Sequence, residues 1–355
     1  MIQHFKKQII KLASTNRQAA AAVAGLIGVW GLVTGRRGSV DHLKSTVSLA
    51  SGSSRILGRP MNITIEQTNV CNLDCPVCET GAGILGRQSG HMSFDQFKTI
   101  IDKVGPHANT LMFYFMGEPF LNKHAYDMIA YAKRAGIPFV ETCTNGDFVD
   151  PIKLVECGLD KVSFQIGGLT QQTHEIYRVK GNLDRVMRNL RESIRVRNDR
   201  RSPLRIEVGL VLMKHNEHEL PDFERTVREL GADAAVVIDP CVRTIEQGHQ
   251  FLPTDRGHWL YDERSFAQGV LRPKVLPDNT CPWIYYSIAI HVNGDVVPCC
   301  RDPKGEEVMG NILKEDLDAI WNGPRYRAFR ERIHKDQGAV GICALCSSYP
   351  VSRIH

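Results

Sequence analysis

Three cysteines stand within one short run, Cys71-Asn-Leu-Asp-Cys75-Pro-Val-Cys78. Thiolates at that spacing wrap one face of an iron–sulfur cluster, whose irons favour soft sulfur ligands. The loop supplies only three, so one iron keeps an open coordination site, the mark of a metal that does chemistry. A zinc site completed by a remote His or Cys is the plainer alternative. The spacing is unusual for zinc fingers, however, and no matching CxxC or HxxxH follows nearby. A second set lies near the C-terminus: Cys281, the adjacent Cys299 and Cys300, and Cys343-Ala-Leu-Cys346. That set would also suit a structural zinc with four thiolates. Cys143, Cys157 and Cys241 stand alone and read as small core residues, Cys143 least safely because a candidate strand ends beside it. Histidines form no metal box; His215 and His218 sit near a helix start and read as capping or solvent-facing.

These residues need strands and helices to hold them. Apolar, β-branched runs predict strands over Asn62–Gln67, Thr110–Met116, Phe139–Thr144, Lys161–Ile166, Arg205–Met213 and Ala234–Asp239. Helical patterns lie between them near 93–104, 122–135, 150–157, 182–198 and 216–230. Such alternation predicts a parallel sheet with helices outside, a complete or partial α/β barrel with its chemistry at the C-terminal strand ends. Polar candidates fall at those ends. Gly117-Glu118 follows the second strand; the Gly permits close backbone approach and the Glu suits an ammonium group. Asn145 and Asn216 can bind a ligand or cap a turn, Gln165 can donate and accept, and Arg178 is either a carboxylate clamp or a helix-end cation. Asp239 is a weaker candidate. Beyond residue 245, Trp283–His291, Asn293-Gly294 and Asp295–Cys299 predict a hairpin, with a helix near 314–333 after it. The domain reading is an arm over 1–60, a barrel over 61–245 and a small module over 246–355.

The chain has 355 residues and a net charge of +5, unevenly placed. Residues 1–60 carry nine Lys/Arg and one acid, and the remainder is net −3. The excess charge points to an anionic membrane surface or acidic partner, and the acidic barrel disfavours nucleic acid. Residues 4–34 read as helical. Their apolar stretch Ala19–Val33 is short for a span and reads equally as a packed or a membrane-surface helix. Eleven clustered cysteines without a distinct secretory signal indicate a reducing, cytoplasmic setting, with peripheral association at the inner membrane face as a further expectation.

Cys71, Cys75 and Cys78 resemble the signature of the radical S-adenosylmethionine (SAM) superfamily, and the likeness continues at Met116-Gly117-Glu118-Pro119, Thr144-Asn145-Gly146, Tyr177-Arg178 with Gly181-Asn182, and Met213-Lys214-His215-Asn216. The resemblance implies a partial (β/α)6 TIM-like barrel and a [4Fe–4S] cluster on Cys71, Cys75 and Cys78. It further implies SAM as cofactor, contacted by Gly117, Glu118, Asn145, Gln165, Arg178 and Asn216. The fourth strand departs from the family's Ser-Ile-Asp-Gly with Gln165-Ile166-Gly167-Gly168, which withdraws any family-based substrate assignment. The C-terminal module resembles the SPASM/twitch class, through Asn293-Gly294-Asp295, Val297–Asp302, Gly310-Asn311-Ile312 and Ile320-Trp321. Full SPASM domains with two clusters use about seven cysteines. The five here, two of them adjacent, imply one auxiliary [4Fe–4S] cluster held by Cys281, Cys299, Cys343 and Cys346, with Cys300 as alternate to Cys299.

The implied activity is reductive cleavage of SAM to a 5′-deoxyadenosyl radical that abstracts a substrate hydrogen, in an oxidoreductase or transferase-type enzyme. A small-molecule or lipid-like substrate is expected from the basic, apolar arm. A SPASM-type peptide maturase and a non-catalytic iron–sulfur electron carrier are the alternatives. The resemblance also calls for a flavodoxin- or ferredoxin-type electron donor, for which the basic run Arg185–Arg201 offers a surface.

Overall fold

A computed structural model describes residues 37–346. The helix expected over 4–34, and its apolar stretch, lie outside the described residues. Among the described residues no helix is long and apolar enough to cross a membrane.

Six parallel strands alternate with helices: β1 (Asn62–Ile65), α2 (Phe94–Val104), β2 (Thr110–Met112), α3 (Ala125–Arg134), β3 (Phe139–Thr144), α4 (Pro151–Glu156), β4 (Lys161–Ile166), α5 (Gln171–Tyr177), α6 (Leu183–Asp199), β5 (Arg205–Val211), α7 (Leu220–Glu229) and β6 (Ala234–Ile238). The first helix, α1 (Arg37–Ala50), precedes them. Sheet order is β6-β5-β4-β3-β2-β1, all parallel, and it continues from β1 into β7 (Ser287–Ile290), β8 (Asp295–Val297) and β9 (Gly310–Asn311). β7 pairs parallel with β1, whereas β8 and β9 are antiparallel. The architecture is thus an open, partial α/β barrel whose sheet runs on into the C-terminal module.

Side chains alternate across each strand. Val140, Val162, Phe164, Ile166, Ile206 and Val208 face the helices, against Phe97, Ile100 and Val104 of α2 and Val186, Leu190 and Ile194 of α6. The other face carries Glu141, Cys143, Ser163, Gln165 and Glu207. Local chemistry sets the helix starts. Ser93 and Gln96 form a reciprocal capping box at α2, and Asp150 caps α4 with Pro151 behind it. Strand β2 is shorter than its apolar run. Its ladder ends at Met112, and the chain then turns at Gly117, whose φ is +78°.

In the C-terminal part, Trp283–Tyr286 form a helical turn, α10, instead of the first half of a hairpin strand. The expected helix near 314–333 is two, α11 (Leu317–Trp321) and α12 (Pro324–Asp336), because Pro324 ends one and starts the next. Between the barrel and this module lie α8 (Ile245–Phe251) and α9 (Glu263–Ala267), in a second small core with Val77, Met213 and Tyr261. Helix α1 packs onto the protein body. Asp41 meets His107 at 2.7 Å and accepts from the Arg59 amide, and His42 stacks on Tyr286 at 5.2 Å.

Candidate active site

The loop after β1 is gripped by segments that leave the neighbouring strands. The Glu118 amide donates to Val70 O at 2.9 Å, and the Asp74 amide to Val179 O at 3.1 Å. Arg243, beyond β6, donates to Val77 O at 2.7 Å and pairs with buried Glu79. Within the loop, the Leu73 amide approaches Cys71 Sγ at 3.5 Å and Arg178 Nη1 approaches Cys75 Sγ at 3.9 Å. Burial pushes the Cys71 thiol up to about 12 and raises Cys75 also. Thiolates there require nearby positive charge, which bound iron supplies. The Cys75 and Cys78 thiols both lie in the field of Cys71, yet among the described residues no three His, Cys, Asp or Glu side chains converge as around a single ion. Three soft thiolate donors from one loop are the donor set that an iron–sulfur cluster takes.

Glu118 is the hinge of the polar wall beside Cys71. It is 2 % exposed. One carboxylate oxygen accepts from Thr144 Oγ1 at 2.7 Å and the Phe120 amide at 3.2 Å; the other accepts from the Asn145 amide at 2.7 Å. Burial outweighs these bonds and pushes the carboxyl up to about 7. Gly117 is required where it stands. A Cβ there would lie 2.6 Å from Thr68 O and 2.7 Å from Val70 O, in a left-handed backbone. Asn145 Nδ2 donates to Asn72 Oδ1 at 2.8 Å and approaches Cys71 Sγ at 4.0 Å, while Asn72 donates to Asp147 at 2.8 Å.

The fourth-strand departure has a steric reading. Gln165 donates to Ser163 Oγ at 2.7 Å and lies over Gly209, where a Cβ would meet it at 2.4 Å. A Cβ on Gly167 would come within 2.6 Å of His174 O and 2.9 Å of Arg178 Cγ, so the position has no room for a carboxylate. Arg178 is not a solvent-facing helix end: its Nε is buried without a partner among the described residues, beside the cysteine loop. Asn216, fully buried, spends its side chain on the Met213 amide and on Gly167 O and Val211 O, and so ties β5 to β4 without capping the next helix. Asp239 pairs with His258 at 2.9 Å.

In the C-terminal module Cys343 and Cys346 are buried, and Cys281, Cys299 and Cys300 are half-buried. Burial raises Cys299, to which the nearby Cys281 and Cys343 thiols add, and pushes Cys343 up to about 12, with Cys281 and Cys346 adding to it. The Arg301 amide donates to Cys299 Sγ at 3.3 Å. Cys300 neighbours both Cys299 and Tyr114, and stays the alternate to Cys299. Cys281, Cys299, Cys343 and Cys346 are four soft donors of the kind a closed cluster takes, and among the described residues no three of them converge as around a single ion. All eleven cysteines are free thiols.

Sequence reasoning missed the inner-face charges. Tyr114 donates to Glu141 at 3.2 Å; Lys161 reaches Glu141 at 2.5 Å and Glu207 at 3.8 Å. Their signal was parity, since Glu141 and Lys161 alternate in step with Cys143 and Gln165. The buried pair Glu66–Arg87, 2.6 Å, was also missed and left no spacing signal.

The family model "Radical SAM superfamily" matches residues 65–227, and "Iron-sulfur cluster-binding domain", SPASM, matches 281–347. The tungsten-containing aldehyde ferredoxin oxidoreductase cofactor-modifying protein of Pyrococcus furiosus is 27 % identical over 299 residues, 75 % of this chain and 82 % of that protein. The AdoMet-dependent heme synthase of Nitratidesulfovibrio vulgaris is 25 % identical over 64 % of this chain, which spans 60 % of that relative. Among solved structures, Streptococcus suis SuiB bound to SAM superposes with a TM-score of 0.61 at 14 % identity, covering 87 % of this chain and 76 % of that one. SuiB has also been solved with its precursor peptide SuiA.

Proposed function

From the premise that the chain belongs to the radical SAM superfamily and carries a C-terminal SPASM domain, with a SAM-binding [4Fe–4S] cluster and an auxiliary iron–sulfur site, we propose that it cleaves SAM reductively to abstract a substrate hydrogen. The carrying observation is the polar wall around the Cys71 loop: Glu118 and Asn145 follow β2 and β3, Arg178 closes α5, and Asn145 and Arg178 approach Cys71 and Cys75. When bound, the first cluster would supply the electron for reductive cleavage of SAM. In this reading Cys71, Cys75 and Cys78 hold that cluster, Glu118 accepts from the SAM amino group and Gly117 lets the backbone approach. Asn145 and Gln165 bind its polar edges, Arg178 faces its carboxylate and Asn216 fixes the β4 and β5 ends. Cys281, Cys299, Cys343 and Cys346 hold the auxiliary cluster.

The substrate reading is a small or lipid-like molecule, in an enzyme of oxidoreductase or transferase type. It draws on the +8 charge of residues 1–60 and on relatives named for heme and cofactor chemistry. Peripheral attachment at the inner membrane face goes with it. Because α1 is part of the folded body, the discriminating truncation removes residues 1–36. Loss of anionic-vesicle binding by that variant supports attachment, and absence of binding by the full chain removes it. The donor, of flavodoxin or ferredoxin type, would meet exposed Arg185, Arg188 and Arg191, since Arg195, Arg197 and Arg200 are already paired. A peptide maturase is the second reading, because SuiB shares the fold and binds a precursor peptide.

The test is anaerobic reconstitution followed by iron analysis and 5′-deoxyadenosine detection with dithionite and SAM. About eight irons with cleavage supports the proposal, and about four with cleavage removes the auxiliary cluster. Iron without cleavage favours an electron carrier. Alanine at Cys71, Cys75 or Cys78 should each abolish cleavage.

A further inference from the structure

Pro76 and Val77 separate Cys75 from Cys78, and one segment far along the chain holds the carbonyls of both. Arg243 Nη1 donates to Val77 O at 2.7 Å and Gln247 Nε2 to Pro76 O at 3.4 Å, from 166 and 171 residues away. The two donors are tied to each other, since the Arg243 amide donates to Gln247 Oε1 at 2.9 Å. The Arg243 guanidinium also pairs with Glu79, the residue after Cys78, whose side chain is only 5 % exposed. The Val77 side chain completes the grip, packed in the second core with Val242 and Phe251. The segment is anchored from behind as well. Tyr261 donates to Val242 O at 2.6 Å, Arg301 Nη1 donates to Cys241 Sγ at 2.9 Å, and Thr244 caps α8.

A peptide group is planar, so a fixed carbonyl fixes the N–H on the other side of the same plane. Holding Pro76 O therefore sets the Val77 N–H, and holding Val77 O sets the Cys78 N–H, which donates to Cys75 O at 3.1 Å. Both planes between the two cysteines are thus held from outside the loop. With them are held the directions in which the Cys75 and Cys78 side chains leave the backbone. Arg178 does something different, because it reaches Cys75 at the sulfur. A loop whose peptide planes are already set has less backbone freedom to lose when its thiolates close on iron.

We propose that Arg243, assisted by Gln247, is a positioning clasp for the first iron–sulfur cluster and fixes the peptide planes between Cys75 and Cys78 from beyond β6. This rests on the reading that Cys71, Cys75 and Cys78 hold that cluster. The Arg243 guanidinium bonds a carbonyl and a carboxylate, so it acts through the loop backbone and is not a ligand.

The experiment is an anaerobic challenge of the reconstituted full chain with a ferrous-iron chelator, with iron release followed by absorbance. The Cys71→Ala chain, which keeps only the auxiliary cysteines intact, supplies the release rate of the auxiliary iron. The main variant joins Arg243→Met to Glu79→Gln, so that no buried carboxylate is left unpaired. It should release the first-cluster iron about tenfold faster than the parent. Placed in the Cys71→Ala chain, the same two changes should leave release within about twofold. Arg243→Lys keeps the charge but lacks the guanidinium fork, and should be intermediate, about threefold faster. First-cluster release at the parent's rate in the main variant overturns the proposal. So does an equal acceleration in the Cys71→Ala chain, which would mean general loosening. If the main variant does not fold, Arg243→Lys decides: faster release supports the clasp, and release at the parent's rate overturns it. If the Cys71→Ala chain binds no iron, all the parent's iron belongs to the first cluster and its release rate decides. If that chain keeps as much iron as the parent, the ligand reading falls and this proposal with it.

Discussion

Glu118 offers a test in which protonation, packing and binding separate. Its carboxyl is pushed up to about 7 from an ordinary 4.5, chiefly by burial, against three hydrogen bonds that favour the ionised form. If the SAM amino group must be accepted by a carboxylate, affinity follows the ionised fraction. That fraction falls about tenfold between pH 8 and pH 6, equivalent to about 1.4 kcal/mol of binding. SAM affinity of the reconstituted protein should therefore weaken about tenfold over that interval beyond any weakening shared by Glu118→Gln. Subtracting the variant removes the titration of SAM itself. The same shift carries a stability signature. The folded protein holds this proton more tightly than the unfolded chain, so the contribution is present below the ordinary value and is lost as pH rises through about 7. Urea midpoints of the cluster-free chain should accordingly fall from pH 5 to pH 8 by more in the parent than in Glu118→Gln. Parallel pH curves for the two proteins, in binding and in unfolding, would refute the reasoning.

Gly117→Ala should cost about 1–2 kcal/mol for the left-handed backbone alone. Its Cβ, 2.6 Å from Thr68 O, should also displace the cysteine loop, read as reduced iron retention after reconstitution. Arg87→Met leaves Glu66 buried and unpaired, with an expected loss of about 3–5 kcal/mol in urea unfolding. The double variant with Glu66→Gln should lose less than the sum of the single changes. Gly167→Asp, restoring the acid common in the family, should destabilise the chain or abolish SAM binding, because His174 O and Arg178 Cγ occupy the space. Full SAM cleavage by a stable Gly167→Asp protein would contradict that account. Cys157→Ala, at the end of α4 in the apolar core, should leave SAM cleavage unchanged and lower stability slightly.

The order of strands and helices was legible because each barrel strand carries an apolar face toward the helices, and strands β3 and β4 match their sequence runs residue for residue. What the sequence concealed depends on three-dimensional closure. The apolar run leading into β7 reads equally as strand or helical turn; Pro282 and the burial of Trp283 through Tyr286 decide for the turn. At the site, residues bound to neighbours in sequence were visible, as with the cysteine spacing. Residues whose partners are remote were not. Glu66 meets Arg87, whose Nε also reaches Pro303 O, and Arg178, closing α5, meets Cys75 from 103 residues along the chain. Asn216 illustrates the same limit from the other side. A ligand contact and a helix cap were both chemically open to it, and only the fold reveals a third use, tying adjacent strand ends together. The two cysteine sites are therefore joined by a chain of direct contacts. Val292 and Pro303 of the auxiliary module hold the Glu66–Arg87 pair, and that pair fixes the end of β1 from which the first cysteine loop departs. Disturbing the module should consequently be felt at the SAM site even where no auxiliary ligand is changed.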